Sequence, residues 1–160
     1  MLYSADPSKT KNMKHLLAFL AAALLCLGAR AAEHGTPADA IALINKTAAY
    51  LIDEGPAKTF FETSNPRGRF TYRDLYIVIY DTHGKVMAHG AIPRLVGLNV
   101  YDYRDEEDKY FVREILDKAG KGQQGPVDYK WIHPLSRQMQ AKSAWFRQVG
   151  QYVITCGTYK

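Results

Sequence analysis

The sequence lacks the marks of several protein classes. Of its two cysteines, Cys26 lies in an N-terminal apolar segment, and Cys156 alone cannot form an internal disulfide. The four histidines after residue 31 are scattered, and no zinc signature is present. There is no internal repeat, nucleophile elbow, basic helix or RNA-binding motif. We therefore expect no metal, no cofactor, no nucleic-acid partner and no enzymatic activity.

The sequence also lacks a hydrophobic run long enough to cross a membrane. Its apolar run, residues 16–27, would extend roughly 18 Å as a helix, whereas a bilayer core is about 30 Å thick. Lys14 precedes the run and Ala29-Arg30-Ala31 follows it, which is the order found in a secretory signal peptide. We predict cleavage after Ala31 and a periplasmic or secreted protein. An uncleaved segment would tether the domain to the membrane.

The predicted signal peptide divides the chain into residues 1–31 and a single domain, residues 36–160. The residues before Met13 are unlike the start of a signal peptide, so Met13 is an alternative translation start. Leu25 precedes Cys26 where a lipoprotein signal requires a small residue, which argues against lipidation.

Charge gives no reason to expect a nucleic-acid partner. The net charge of +5 includes four basic residues and one acidic residue within residues 1–31. Their removal leaves 17 basic and 15 acidic residues, a net charge of +2.

Cys156, in an apolar strand-like run, is interpreted as a buried side chain, with an intermolecular disulfide as the alternative.

Hydrophobic periodicity predicts a helix over residues 36–63. Thr36 is a suitable N-cap and is followed by proline. Gly55-Pro56 should break or kink the helix. One apolar stripe recurs at spacings of three and four residues: Ile41, Ile44, Ala48, Leu51 and Ile52.

The remainder of the chain predicts an antiparallel sheet with a helical excursion. Residues 74–81 and 86–90 form a predicted hairpin, and a long connection over 91–105 leads to a predicted helix at 106–119. Further strands are predicted at 127–133, within 143–150 and at 151–159, with a polar loop at 135–141. These elements predict an α+β domain.

Several segments, in order, resemble the Cache domain, the PAS-like extracellular sensor module of bacterial receptors, in its second single-domain subtype. The matching pieces are the long N-terminal helix and these segments: Tyr76-Ile77-Val78-Ile79-Tyr80-Asp81 with Gly84, residues 89–97, residues 105–111, the G-x-x-x-Y-x-W-x-x-P pattern of residues 125–134, Lys142 with Trp145-Phe146, and residues 154–159 with a terminal G-x-Y. Cys156 departs from the pattern, which has a small residue there.

The resemblance implies a central antiparallel sheet with the long helix on one face. Loops and a short helix enclose a small-ligand pocket on the other face. Such domains bind short carboxylates, amines or amino acids and sit in chemoreceptors and sensor kinases. The sequence has no second membrane segment, kinase or signalling coiled coil. The resemblance therefore implies a free sensor domain that signals through a membrane receptor or histidine kinase, with homodimerisation through the N-terminal helix as a further expectation.

The candidate ligand-binding residues follow from this resemblance and from side-chain chemistry. On a strand, Tyr129 and Trp131 point the same way and would form an aromatic wall. Arg94 and Lys142, both predicted in loops, would bind a carboxylate. His89 is a candidate donor, and Tyr80 is a candidate wall residue.

Other interpretations remain open for these side chains. Tyr129 and Trp131 could be core residues, and Lys142 could form a structural salt bridge with Asp105. The alternative function is a structural or interaction module that dimerises through the N-terminal helix, with a pocket filled by its own side chains.

Overall fold

The computed structural model describes residues 34–160. The predicted signal peptide, its cleavage site after Ala31, the alternative start at Met13 and Cys26 lie outside the described residues.

The N-terminal helix forms as predicted and is interrupted at the predicted place. Helix α1 spans Pro37–Glu54 and helix α2 spans Pro56–Thr63. Thr36 and Asp39 cap α1 reciprocally: the Thr36 side chain accepts from the Asp39 N–H, and the Asp39 carboxylate accepts from the Thr36 N–H. Gly55 separates the helices with φ 80°, in the left-handed region that glycine tolerates best.

The buried stripe of α1 differs in part from the predicted one. Ile44, Ala48 and Leu51 are buried as expected. Ile41 and Ile52 are 36% and 68% exposed. Spacings of three and four drift around the helix over its full length, so the ends of a stripe identified from sequence can fall outside the contact face.

Six strands form one antiparallel sheet. They are β1 Thr71–Tyr72, β2 Leu75–Asp81, β3 Val86–His89, β4 Val127–Ile132, β5 Met139–Val149 and β6 Tyr152–Tyr159. The strand order is β1-β2-β6-β5-β4, with β3 also paired to β2. The predicted α+β class, the hairpin of β2 with β3 and the antiparallel sheet are confirmed.

Strand β2 is central, and both of its faces are buried. Its odd-numbered residues Ile77 and Ile79 pack with Leu43 and Ile44 of α1. The even-numbered residues Tyr76, Val78 and Tyr80 pack on the opposite side with helix α3, Phe111–Gly120. The continuous apolar run in the sequence therefore matches a strand covered on both faces.

Two predicted boundaries are wrong. Helix α3 begins at Phe111 rather than at residue 106, because the Asp105 carboxylate accepts the N–H groups of Glu107 and Lys109 and forms a turn there. Strand β5 begins at Met139, inside the predicted polar loop, and is paired with β4 from its first residue. Lys142 therefore lies within a strand, not in a loop.

Among residues 34–160, no helix combines the length and the hydrophobicity that crossing a membrane requires.

Candidate ligand-binding pocket

A small cavity lies between the sheet and the α3 side of the domain. It encloses about 30 Å³ of water-accessible space, and a water molecule needs about 10–15 Å³ of such space. In this state the cavity therefore has room for about two waters. Its lining is mainly apolar and aromatic: Tyr76, Val78, Tyr80, Val86, His89, Leu95, Val100, Tyr103, Phe111, Val112, Tyr129, Trp131, Lys142, Ala144, Thr155 and Gly157.

Lys142 brings the principal polar group into this cavity. The side chain comes from β5 and is only 2% exposed. Its Nζ donates to the hydroxyl of Tyr76 at 2.7 Å and to that of Tyr159 at 3.2 Å. It also lies 4.0 Å and 4.4 Å from the centres of these two rings, within cation–π range.

No carboxylate within residues 34–160 forms an ion pair with Lys142. The salt bridge to Asp105 that the alternative interpretation allowed is not formed, because Asp105 accepts backbone N–H groups, including that of Lys130. Burial lowers the pKa of Lys142 to about 7, although the neighbouring Cys156 and Asp74 act in the opposite direction. A buried ammonium group whose partners are neutral is chemically suited to pair with an anion.

Gly157 gives the Lys142 side chain its path to the cavity. A Cβ atom at Gly157 would lie 2.0 Å from Cε of Lys142 and 2.9 Å from its Cδ. The glycine thus leaves the surface of β6 open where the lysine stem crosses it. Any larger residue would move the ammonium group.

His89 supplies a second polar group with a defined tautomer. It lies at the end of β3, is 4% exposed, and stacks on the Tyr76 ring at 5.3 Å between centres. Its Nδ1 accepts the N–H groups of Ala91 and Ile92 at 3.2 and 2.9 Å. The neutral ring therefore carries its proton on Nε2. Burial, reinforced by the Lys142 charge, lowers the pKa of His89 to about 3, so the ring offers an N–H and no charge.

The aromatic wall of the cavity is built around Phe111. This ring stacks on Tyr129 with a centroid distance of 4.3 Å and meets Trp131 edge-on at 5.4 Å. Tyr129 and Trp131 alternate along β4 with residues that face away from the cavity. Both are only partly buried, which is consistent with walls beside a space.

The structure brings five of the six sequence-predicted residues to one cavity: Tyr80, His89, Tyr129, Trp131 and Lys142. Arg94 is not among its lining residues. It lies in a short 3₁₀ turn, Pro93–Leu95, and borders an outer cleft together with Trp131 and Met139. The turn directs Leu95 rather than Arg94 toward the cavity, which spacing along a loop could not indicate.

The connection over residues 91–110 covers the cavity and is fastened on two sides. Beside β3, the Val86 N–H donates to Leu98, and the Gly97 N–H donates to Val86. Beside β4, the Asp105 carboxylate accepts the Lys130 N–H at 3.0 Å. Burial alone would raise the pKa of Asp105, but backbone N–H groups, that of Lys130 foremost, lower it overall.

Sequence reasoning missed several residues that line the cavity or hold Lys142 in place. Tyr159 lies in the terminal G-x-Y element, and its hydroxyl donates to the Ile132 carbonyl at 3.0 Å, so it accepts from Lys142 and Tyr76. Gly157 is the glycine of the same element. Phe111, the first residue of α3, is another such residue. The spacing of Gly157 and Tyr159 was visible in the sequence, but the position of Lys142 opposite them depends on strand pairing.

A second polar cluster, His34, Asp74 and His133, has the composition of a metal site. Asp74 Oδ2 lies 2.8 Å from His34 Nδ1 and 3.7 Å from His133 Nε2. However, His133 Nδ1 accepts the N–H groups of Leu135 and Ser136. The neutral ring must then carry its proton on Nε2, and a protonated nitrogen cannot ligate a metal. Asp74 therefore accepts from His34 and from the Gly35 N–H, whereas His133 Nε2 lies beyond hydrogen-bond distance of it and has no partner among residues 34–160.

The fold is of the PAS-like type, and solved structures agree. The chain is similar to a methyl-accepting chemotaxis protein from Vibrio parahaemolyticus (20% identity, 75% of this chain, 85% of that chain, TM-score 0.65). It is also similar to a periplasmic sensor domain of a chemotaxis protein (22% identity, 74% of this chain, 85% of that chain, TM-score 0.60). A third similar structure is a Cache chemosensory domain studied for carboxylic acid recognition (15% identity, 74% of this chain, 84% of that chain, TM-score 0.60). Likeness at these identities shows the fold.

The Cache domain family model matches residues 63–160, and the protein belongs to the Cache domain family. Among curated proteins, none matches this sequence. The resemblance identified from the sequence is thereby confirmed. Cache domains are extracellular or periplasmic sensor domains, found in chemotaxis receptors and histidine kinases.

Proposed function

We propose that this protein is a single Cache domain, residues 36–160, that binds a short monocarboxylate between Lys142 and the aromatic wall. It would be exported by the segment 1–31 and act outside the cytoplasm, in the periplasm or after secretion. Ligand binding in the pocket would be signalled to a membrane receptor or a histidine kinase. The observation that carries the proposal is the enclosed Lys142 ammonium group, whose hydrogen-bond partners among residues 34–160 are two neutral phenols.

The polar end of the cavity suits one carboxylate group. Lys142 has used two of its three donors on Tyr76 and Tyr159, so one remains for a ligand oxygen. His89 offers its Nε2–H from the same lining. Two donors from two strands match the two oxygens of a carboxylate.

The size and charge of the cavity favour a small ligand without an amino group. About 30 Å³ of space holds about two waters, so the ligand must have few heavy atoms, as formate and acetate do. Longer acids would require the 91–110 connection to move outward. The cavity lining contains no aspartate or glutamate, so the ammonium group of an amino acid would have no partner. The solved Cache domain that recognises carboxylic acids has the same fold, which supports this choice of ligand class.

A second candidate function, a dimerising interaction module, is favoured by two observations. The cavity is small, and apolar side chains are exposed on the N-terminal helices: Ile52 of α1 is 68% exposed and Phe61 of α2 is 77% exposed. In that case the pocket would be filled by side chains alone, and the helices would pair with a second copy.

A thermal-shift series separates the two functions. Formate, acetate, propionate and butyrate are added to the purified protein, with acetamide as the uncharged match for acetate and glycine as the amino-acid match. We expect acetate or a neighbouring acid to raise Tm, and acetamide and glycine to have no effect. Equal Tm values with all compounds, together with a dimer in solution, would favour the interaction module.

Matched variants test which positively charged side chain binds the carboxylate. Lys142→Met should weaken binding about 100-fold, since removal of one partner from a buried charge pair costs about 2–5 kcal/mol. Lys121→Met, in the exposed turn after α3, should leave the shift unchanged and serves as the control. Arg94→Ala tests the other predicted cation: because Arg94 does not line the cavity, we expect the wild-type shift. A wild-type shift in Lys142→Met would overturn the assignment.

A further inference from the structure

The pocket encloses a lysine without any contacting acid. Titratable groups near Lys142 come from four strands: Tyr76 from β2, with Asp74 immediately before that strand, His89 from β3, Tyr129 from β4, and Cys156 and Tyr159 from β6. Asp74, the one carboxylic acid among them, is already engaged with the Gly35 N–H and with His34. Within residues 34–160, the Lys142 ammonium group contacts phenol oxygens and ring faces.

The histidine, thiol and phenol neighbours of Lys142 stay uncharged at neutral pH. His89 cannot take a proton on Nδ1 without losing two backbone hydrogen bonds. Burial raises the pKa of the Cys156 thiol to about 12, although the Lys142 charge acts in the opposite direction. Burial also raises the pKa of Tyr76 and of Tyr159. Any change in the charge of the empty cavity therefore falls on Lys142.

We propose that the site takes up each carboxylate together with one proton. In the empty pocket above neutral pH, Lys142 is a neutral amine among neutral groups. An arriving carboxylate supplies the missing counter-charge, and Lys142 takes a proton from solvent, so that a neutral ion pair is buried. No covalent bond of the ligand changes. The inference rests on the proposed function and adds that the protein senses the acid and the acidity jointly.

The pH dependence has a defined direction. Because burial lowers the pKa of Lys142 to about 7, the empty site is already protonated at pH 6, and binding needs no further proton. Above pH 7 the proton must be bound along with the ligand. The affinity for acetate should then be about tenfold weaker at pH 8 than at pH 6, and about tenfold weaker again at pH 9.

Calorimetric titration with acetate, in two buffers of different ionisation enthalpy, counts the protons. We expect an uptake of about 0.9 proton per acetate at pH 8 and about 0.1 at pH 6. Lys142→Arg provides the matched variant, since a guanidinium group does not lose its proton: if it binds acetate, uptake should vanish. Binding of acetate to the wild type at pH 8 with no proton uptake would overturn the inference while leaving the proposed function intact.

Direct titration of Lys142, with and without acetate, tests the inference independently of calorimetry. With ¹³C-labelled lysine, the Cε signal absent from Lys142→Arg should titrate near pH 7 in the empty protein and above pH 9 with acetate. Titration near 10.5 in the empty protein would overturn the inference. If acetate fails to bind at pH 6, where no proton is needed, the proposed function fails and the inference falls with it, so the two failures are distinguishable.

Discussion

The replacement Lys142→Met should make the empty protein more stable at pH 6, although it removes a candidate binding residue. Methionine nearly preserves the length of the side chain and removes the ammonium group. The pKa of Lys142 is lowered from 10.5 to about 7 on folding, chiefly by burial. Between these pH values the unfolded chain binds the proton and the folded protein does not. The stability of the wild type therefore rises with pH across this window, by about 1.4 kcal/mol per unit.

The magnitude follows from the width of this window. A difference of 3.5 between the two pKa values corresponds to about 5 kcal/mol. Below pH 7 the folded wild type is destabilised by this full amount. Lys142→Met also loses hydrogen bonds to two phenol oxygens, worth about 1 kcal/mol each. The variant should thus be about 3 kcal/mol more stable at pH 6 and about equal to the wild type at pH 9.5. Above about pH 10 the tyrosines add their own pH dependence.

Urea unfolding at half-unit steps from pH 6 to 9.5, followed by circular dichroism, measures these free energies. Lys121→Met is the control and should follow the wild type at every pH. The reasoning is refuted if Lys142→Met is less stable than the wild type at pH 6, or if the difference between them does not change with pH. Either result would mean that Lys142 is solvated or paired in the folded protein.

Three further predictions test other parts of the structure. Gly157→Ala should destabilise the protein by about 1–3 kcal/mol through overpacking and should weaken acetate binding. Gly120→Ala is the control, because its added methyl group meets open space, and it should bind acetate normally. Equal acetate affinities of the two variants would contradict the path assigned to the Lys142 side chain. Asp105→Asn should lower the unfolding free energy by about 1 kcal/mol at pH 7. The loss should be smaller at pH 3, because the pKa of Asp105 is lowered on folding and the stability that its carboxylate contributes disappears as pH falls. An unchanged Tm at pH 7 would contradict the role of Asp105 in fastening the 91–110 connection to β4. Cys156, whose pKa is raised to about 12 by burial, should react with Ellman's reagent only after unfolding, and rapid reaction of the native protein would restore the intermolecular disulfide as an alternative.

The sequence predicts the elements well because their signals are local. The break at Gly55-Pro56, the cap at Thr36 and the apolar run of β2 each depend on neighbouring residues, and each is found in the structure. The start of β5 is different. Met139 to Ala141 read as polar loop because their strand character comes from pairing with β4, a contact that local composition does not reveal.

The candidate site could be predicted in its aromatic part and less well in its polar part. Tyr129 and Trp131 share a strand face, which alternation alone indicates. The partners of Lys142 come from β2 and β6, at separations of 66 and 17 residues, and only the strand order brings them together. The outward position of Arg94 depends on one turn of 3₁₀ helix.

A crystal structure of the wild-type protein grown at pH 6 with acetate tests the central claim most directly. We expect density for a carboxylate with one oxygen within hydrogen-bond distance of Lys142 Nζ, and its methyl group directed toward Phe111. A cavity that stays dry or holds only water at saturating acetate, with the rings of Tyr129 and Trp131 unmoved, would contradict the account.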